Sequence, residues 1–177
     1  MACVDVRVVH SSALAIQEHR RIRRLLDTAF GGRFGDDDMD HALGGLHVLV
    51  EDDQQLVGHA SVVQRRLFHQ GKALRAGYVE AVAAHPQRHG HGARVMAEVE
   101  RIVRGGYTIG ALSASEGAVE FYRRRGWVRW EGPTAVLAPD GLTRTPDDDD
   151  STYVLRVEDG VDIAGLIACD WRDGDVW

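Results

Sequence analysis

The segment that most constrains the fold of this chain is a glycine-containing loop, Gln87–Gly92, which runs directly into an amphipathic stretch. Gly90 and Gly92 lack a Cβ, so the backbone can turn tightly there and direct several N–H groups into one concavity. A helix that follows such a loop adds its unpaired N-terminal N–H groups and the positive end of its dipole. The pattern therefore predicts a loop that binds the diphosphate of a ligand.

Spacing separates this loop from two other glycine motifs. No Gly-Lys-Ser/Thr follows it, so it is not a P-loop. Its second glycine comes too early for Gly-x-Gly-x-x-Gly, and no matching acidic ribose ligand is evident, which disfavours a dinucleotide site. On its own, the loop is equally compatible with a plain turn between two elements.

Strands and helices alternate around the loop. Tyr78–Ala84 has the composition of a buried strand that leads into it, and Ala93–Arg104 is the expected helix after it. A further strand, Thr108–Ser113, and a helix, Ala118–Arg125, follow. The expected buried stripe of the helix after the loop consists of Val95, Val99, Ile102 and Val103.

The remainder of the chain adds a strand at Val4–Val9 and a helix from Ser11 or Ser12 to about Phe30. Two strands follow at His47–Val50 and Leu56–Leu67, and Thr152–Val157 is the expected final strand. A meander followed by alternating strands and helices indicates an α/β protein with a single domain over residues 1–177. The expected core positions of the first helix are Ile16, Leu25, Leu26 and Phe30.

The composition of the chain limits where in the cell the protein is expected and which class of ligand it is expected to bind. The two cysteines, Cys3 and Cys169, are far apart in the chain, so neither a disulfide framework nor a zinc site is expected. No signal peptide or membrane-length apolar run occurs, so we expect a soluble, cytoplasmic protein. The net charge is −6. Acidic runs at residues 36–40, 147–150 and 170–175 favour a cationic small molecule over nucleic acid, whose phosphates they would repel.

Glu80 is the main candidate for chemistry, because it stands in an otherwise apolar strand just before the loop. A buried carboxylate is costly unless it is paired or used. One interpretation is the exposed face of an alternating strand. The other is a general base, acting directly or through water, that removes a proton from a substrate ammonium.

Other polar residues near the loop carry weaker signals. His85, His89 and His91 have no nearby carboxylate or cysteine to complete a metal site, so no metal is expected. Ser113 has no His/Asp partner at a recognisable spacing, which disfavours a serine hydrolase.

The order of strand, Gln-x-x-Gly-x-Gly, helix, strand, and a helix ending in Tyr122-x-x-x-Gly126-Trp127 resembles the GCN5-related N-acetyltransferase family, which binds acetyl-CoA. The resemblance implies a mixed, mostly antiparallel sheet flanked by helices, with a splay between the strands of Glu80 and Ser113 that admits pantetheine. It also implies that Tyr122 donates a hydrogen bond to the departing thiolate. The implied cofactor contacts are Val82, Ala83, Ala84, Arg88, His89, Gly90, His91, Gly92 and Ala93.

A closer resemblance covers nearly the whole chain and points to the aminoglycoside 2'-N-acetyltransferases. It rests on Gly44–His47, Gln64–Leu67, Gly77–Glu80, Gly110–Ser113, Thr143–Asp149 and, most distinctively, Cys169–Trp177. It implies acetyl transfer to the 2'-amine of an aminoglycoside, antibiotic resistance, and a homodimer as a candidate assembly. The implied substrate contacts are Asp38, Glu80, Ala81 through its backbone, Ser113, Asp148, Asp175 and the terminal carboxylate of Trp177.

Two positions depart from the pattern of that family. Ala81 replaces a glycine, and Arg33 replaces a loop aspartate that binds a substrate ammonium. Because an arginine pairs well with a carboxylate, one interpretation is that Arg33 favours kasugamycin, which carries one, over gentamicin or tobramycin. The other is that Arg33 points to solvent from a glycine-rich loop. The alternatives are acetylation of a polyamine or a protein amine, and a non-catalytic CoA-binding module.

Overall fold

The computed structural model of the chain describes residues 4–87 and 89–177, so Cys3 and Arg88 lie outside the described residues. The chain divides into two compact units: one comprises the residues up to Val63 with Val79–Ile102, and the other comprises Gln64–Tyr78 with Val103–Trp177. The elements in chain order are β1 (Val4–His10), a 3-10 turn (Ser11–Ala13), α1 (Ile16–Ala29), α2 (Asp36–His41), β2 (Leu46–Asp52), β3 (Gln55–His69), β4 (Lys72–Ala84), α3 (His91–Gly106), β5 (Ile109–Ser113), a 3-10 turn (Glu116–Ala118), α4 (Val119–Arg124), β6 (Val128–Arg129), β7 (Thr134–Ala138), β8 (Gly141–Arg144), a 3-10 turn (Pro146–Asp148), β9 (Thr152–Arg156) and β10 (Ile167–Asp170).

The first unit is built on an antiparallel arrangement of β1, β2 and the first part of β3. Leu49 of β2 lies opposite His59 of β3. The turn between these strands has positive φ at Asp53 (45°) and Gln54 (65°). Positive φ at both central residues is the pattern of a tight hairpin whose twist matches that of its strands. The turn pairs Asp52 with Gln55, and a register shift between Val50 and Glu51 then brings Leu49 opposite His59.

Two helices pack against the strands of this unit. α1 buries Ile22, Leu25 and Leu26 in a cluster that also contains Leu49 and Ala83. The helix α3 approaches β3 closely at Gly58, where an added Cβ would lie 2.7 Å from Val95 Cγ2. Since real Cβ atoms do not tolerate that distance, a glycine is required for α3 to lie this close to the strand.

The second unit contains the strand order β6-β9-β5-β4-β3-β10-β7-β8, to which β3 and β4 contribute their parts within Gln64–Tyr78. β4 and β5 are parallel, with Ala76 opposite Ile109 and Tyr78 opposite Ala111. β10 is parallel to β7 and antiparallel to β3. β9 is antiparallel to both β5 and β6, and β8 is antiparallel to β7.

The predicted fold class is confirmed, because the strands form a mixed, mostly antiparallel arrangement with helices beside it. The predicted stripe of α3 is also confirmed: Val95, Val99 and Val103 are fully buried and Ile102 is 8% exposed. None of the helices within the described residues is long and apolar enough to cross a membrane. A single domain over residues 1–177 stays a prediction.

Two predicted elements are wrong in detail. The helix predicted from Ser11 or Ser12 begins at Ile16, since the serines belong to a separate 3-10 turn. Ile16 is 60% exposed and was wrongly placed in the core, whereas Leu25 and Leu26 are buried as predicted. Phe30 is partly buried against the same cluster.

The strand predicted at Thr152–Val157 ends at Arg156 and is not the final one, because β10 follows it. β10 has four residues, which is too short for an alternating pattern to identify it.

Candidate active site

The strand that carries Glu80 changes conformation at the next residue. Glu80 is half-buried, and Ala81 has φ of +52°, in the left-handed region that a residue with a Cβ seldom adopts. Ala83 is buried in the core cluster, while Val82 and Ala84 are half-buried. β4 therefore carries its carboxylate next to a backbone irregularity that the surrounding structure must hold in place.

The glycine loop leads into α3 as the sequence predicts. Gly90 has φ of +79°, so its conformation explains the glycine at this position. α3 starts at His91, two residues earlier than expected, which places Gly92 inside the first turn rather than in the loop. His89 is exposed, with Nδ1 2.9 Å from the carbonyl oxygen of Gln87. The N–H groups in the first turn of an α-helix have no partner within the helix, which suits the binding of a phosphate.

His91 is 6% exposed, and its buried Nδ1 has no hydrogen-bond partner among the described residues. Its ring stacks on that of His89 with 6.0 Å between the centroids. Within residues 4–87 and 89–177, no group of three or more His, Cys, Asp or Glu side chains is arranged to hold a metal ion.

Tyr122 lies on α4 in the second unit and is 6% exposed. Its ring centroid is 5.3 Å from that of Phe121 and 6.3 Å from that of Trp127. Its carbonyl oxygen accepts hydrogen bonds from the backbone N–H groups of Arg125 and Trp127. Burial raises the pKa of the Tyr122 hydroxyl to about 12, so the proton stays on the oxygen at neutral pH.

The predicted acidic residues of the last part of the chain come together in the second unit. Burial, followed by the charges of Asp175 and Asp147, raises the pKa of Asp148 to about 6. The backbone N–H of Trp177 donates to Asp175 Oδ1 over 3.2 Å. The indole Nε1 of Trp177, which is 3% exposed, donates to Thr145 Oγ1 over 2.9 Å. The segment 170–177, here called the tail, thus holds Asp175 close enough to Asp148 for the two carboxylates to repel each other.

Arg65 holds the other end of this tail. The side chain is 5% exposed, and it donates to Asp170 Oδ1 over 2.9 Å and to the Asp170 carbonyl oxygen over 2.8 Å. Its guanidinium carbon also lies 4.7 Å from the centroid of the Tyr78 ring. These contacts fix the end of β10 to β3 within the second unit.

The remaining predicted contacts have varied surroundings. Arg33 is exposed in the loop between α1 and α2. Asp38 caps α2, because its Oδ2 accepts a hydrogen bond of 2.7 Å from the backbone N–H of Gly35. Ser113 is exposed at the end of β5, with its Oγ 3.3 Å from Ser151 Oγ.

Two buried histidines near Ala81 were not predicted. His59 Nδ1 lies 2.8 Å from the Ala81 carbonyl oxygen, and His59 Nε2 lies 2.9 Å from His47 Nδ1. His47 Nε2 is 2.8 Å from Ser11 Oγ. Both rings are fully buried. The available signal was a histidine flanked by apolar residues in each strand, within 46–50 of β2 and within 56–60 of β3.

Comparison with known proteins agrees with this architecture. The family "Acetyltransferase (GNAT) domain" matches residues 11–129. A solved GNAT family N-acetyltransferase of Escherichia coli in complex with CoA has a TM-score of 0.64 at 16% identity, covering 94% of this chain and 88% of that one. A GNAT family acetyltransferase of Brucella melitensis in complex with acetyl-CoA has a TM-score of 0.61 at 18% identity, covering 93% and 95% of the two chains.

The fold and the matched domain define an acetyl-CoA-dependent N-acetyltransferase of the GNAT type. The chain is also 49% identical over 177 residues to the aminoglycoside 2'-N-acetyltransferase of Mycolicibacterium fortuitum, covering 97% of this chain and 91% of that protein. It belongs to the aminoglycoside 2'-N-acetyltransferase family.

Proposed function

We propose that this protein transfers the acetyl group of acetyl-CoA to the 2'-amine of an aminoglycoside antibiotic. The observation that carries the proposal is the sequence of features on one stretch of chain: Glu80, the irregular backbone at Ala81, the turn at Gly90 and the start of α3 at His91. The 49% identity to a relative with this activity in its name supports the choice of acceptor.

The cofactor contacts in this proposal lie on the end of β4 and on the loop. The backbone of Val82, Ala83 and Ala84 faces the pantetheine and acetyl group. The N–H groups at the start of α3 bind the diphosphate. The loop contacts are Arg88, which lies outside the described residues, and His89, Gly90, His91, Gly92 and Ala93.

Glu80 acts as the general base, directly or through water. An ammonium has no lone pair, so it must lose a proton before its nitrogen can attack the thioester carbonyl. A positioned base contributes about 10²–10⁴-fold to such a step. Glu80→Gln should therefore lower turnover most at low pH, where nearly all of the substrate amine is protonated. A Glu80→Gln variant with the turnover of the wild type across pH would remove this role.

Tyr122 stabilises the departing thiolate. With its pKa raised to about 12, the hydroxyl holds its proton more firmly than a thiol, whose pKa is about 8.5. The role is therefore hydrogen-bond donation, while complete proton transfer to the sulfur is unfavourable. Tyr122→Phe should lower kcat and leave the affinity for acetyl-CoA similar. If kcat did not change, the assignment to Tyr122 would be wrong.

In this proposal, carboxylates of the protein bind the acceptor. The amines of an aminoglycoside are positively charged, which matches the acidic runs of the chain. The proposed substrate contacts are Asp38, Glu80, Ala81, Ser113, Asp148, Asp175 and Trp177, together with Arg33. Arg33 is exposed and carries a charge that repels a polycation but pairs with a carboxylate. Kasugamycin, which has a 2'-amine and a carboxylate, is therefore the proposed preferred substrate over gentamicin and tobramycin.

A thiol-release assay with acetyl-CoA and structurally different aminoglycosides tests the proposal. We expect release with aminoglycosides that have a 2'-amine, and a higher kcat/KM for kasugamycin than for gentamicin. Arg33→Asp should reverse that preference, whereas Arg20→Asp, the same charge change on the exposed Arg20 of α1, should not. A preference for gentamicin that Arg33→Asp does not alter would eliminate kasugamycin, and no release with any aminoglycoside would overturn the proposed function.

A further inference from the structure

A continuous line of hydrogen bonds connects Ser11, His47, His59 and the backbone of Ala81. The distances along it are 2.8 Å, 2.9 Å and 2.8 Å. The middle two members are fully buried imidazoles, on neighbouring strands, whose ring centroids are 5.2 Å apart. The line ends at Ala81, the residue that follows Glu80.

The proton positions follow from the carbonyl end of the line, because a serine hydroxyl can both donate and accept. A carbonyl oxygen only accepts, so His59 Nδ1 must carry the hydrogen that binds Ala81. The neutral His59 ring then accepts at Nε2 from His47 Nδ1–H, so the neutral His47 ring can only accept at Nε2, from the Ser11 hydroxyl at 2.8 Å. The Ser11 oxygen also lies 3.2 Å from the Gly45 carbonyl oxygen and accepts from the Gly44 N–H over 3.0 Å. Burial lowers the pKa of His59 to about 4 and that of His47 to about 3, so both rings are neutral at neutral pH. All the donors of the line therefore point towards Ala81.

This direction excludes a proton-transfer role for the line. The last acceptor is a carbonyl oxygen, which has no proton to pass on. The line instead holds the Ala81 carbonyl in one orientation, and aligned hydrogen bonds of this kind strengthen one another. Such support is needed here because Ala81 has φ of +52° despite its Cβ.

Peptide planarity extends the effect to the next residue. In a trans peptide, the C=O of Ala81 and the N–H of Val82 point in opposite directions. The bond to His59 therefore also fixes the direction of the Val82 N–H, on the side of β4 opposite to His59. Val82 is a proposed contact of the acyl donor, and Glu80 immediately precedes the same peptide.

We propose that His59, supported by His47, is a positioning residue for acetyl transfer, which holds the Ala81–Val82 peptide so that the Val82 N–H faces the acetyl group. This inference rests on the proposed function, because the cofactor contact of Val82 belongs to it. A donor aimed at the reacting carbonyl stabilises the oxyanion that develops there more than it stabilises bound acetyl-CoA. Losing its orientation should therefore lower kcat more than it raises KM.

Two substitutions of His59 separate positioning from packing. The amide nitrogen of Asn reaches about the place of Nδ1 and can still donate to Ala81. The amide of Gln reaches about the place of Nε2, so it meets His47 and loses Ala81. We expect His59→Gln to lower kcat by at least about tenfold with a KM for acetyl-CoA within about threefold of the wild type. His59→Asn should keep kcat within about threefold of the wild type.

His69 provides a matched control in the second unit. It is 6% exposed, and its Nδ1 lies 2.9 Å from the Leu166 carbonyl oxygen, the same type of contact. His69→Gln should lower the melting temperature and leave kcat unchanged. If His59→Asn and His59→Gln lose kcat equally, or if folded His59→Gln keeps the kcat of the wild type, the inference is overturned.

If His59→Gln does not fold, a measurement on the wild type tests the same inference. ¹⁵N NMR of labelled histidine should find His59 protonated at Nδ1 and unprotonated at Nε2, and acetyl-CoA should shift the Val82 amide resonance. The opposite tautomer, or an unshifted Val82 resonance at saturating acetyl-CoA, would contradict the inference. Failure of the proposed function is distinguishable, because the wild type would then release no CoA thiol with any aminoglycoside.

Discussion

The indole nitrogen of Trp177 donates a hydrogen bond of 2.9 Å to Oγ1 of Thr145. The Thr145 hydroxyl in turn donates a hydrogen bond to the Thr134 hydroxyl. The N–H and the hydroxyl of Thr134 both donate to Asp149 Oδ1. The tail is thereby fastened to the segment that precedes Asp148. This connection explains how the charges of Asp147 and of Asp175, which are far apart in sequence, both act on the carboxyl group of Asp148.

Trp177→Phe removes the indole donor together with part of the buried ring system. We expect a loss of more than about 1 kcal/mol in unfolding free energy, because the lost packing adds to the typical net value of one hydrogen bond. Because Asp175 is held through the same tail, KM for the aminoglycoside should rise while KM for acetyl-CoA stays the same. Urea unfolding and steady-state kinetics measure the two effects. An unchanged aminoglycoside KM would show that the tail does not contribute to acceptor binding.

Asp148 should make aminoglycoside binding depend on pH. Its pKa is raised to about 6, so the carboxyl group becomes protonated as the pH falls through 6 and no longer attracts an ammonium. We expect calorimetric affinity for the aminoglycoside to fall between pH 7 and pH 5. Asp148→Asn should bind more weakly at pH 7 and show a flatter profile. Parallel profiles for the two proteins would contradict this assignment.

His47 and His59 should make the fold sensitive to mild acid. Their folded pKa values of about 3 and about 4 lie below the value of 6.5 in the unfolded chain, so the unfolded state binds more protons below pH 6.5. Stability is full above pH 6.5 and decreases as the pH falls towards 4, by up to about 1.4 kcal/mol per pH unit for each ring.

Urea unfolding at pH 7 and pH 5 measures this loss. His59→Asn, which has no imidazole to protonate, should lose less stability over that interval than the wild type. The carboxylates are common to both proteins, so the difference reports the loss of the His59 ring, including its effect on the pKa of His47. Equal losses would mean that the buried ring does not have the lowered pKa.

How far the sequence predicts the structure depends on whether the signal is local. The stripe from Val95 to Val103 repeats with the helical period, and the helix and its buried face were predicted from it. Ile16 is apolar and was therefore predicted to lie in the core, but it is the first residue of α1 and is exposed there.

The site shows the same division. Glu80 and the loop with Gly90 lie close together in the chain, and both were predicted from the sequence as parts of the site. The pair His47 and His59 was missed, because it depends on the register of β2 and β3 and on a carbonyl group, neither of which has a sequence signature. The value of the Asp148 pKa likewise depends on a tail that only the fold brings near.

Gly92 and Ala97 form a matched pair on α3 for the cofactor site. Gly92 is half-buried in the first turn, whereas Ala97 is exposed further along the helix and is not a proposed cofactor contact. Gly92→Val should block the approach of the diphosphate to the backbone and abolish calorimetric binding of acetyl-CoA. Ala97→Val adds a similar side chain to the same helix and should leave binding close to that of the wild type. Full affinity in Gly92→Val would remove the loop from the proposed cofactor site.

The most direct test of the central claim is the structure of the product. Purified protein is incubated with acetyl-CoA and kasugamycin, and separately with gentamicin, and each product is analysed by mass spectrometry and two-dimensional NMR. We expect one added acetyl group, located on the nitrogen of the 2'-position and formed far more slowly by Glu80→Gln. An acetyl group on any other amine, or no acetylated aminoglycoside at all, would contradict it.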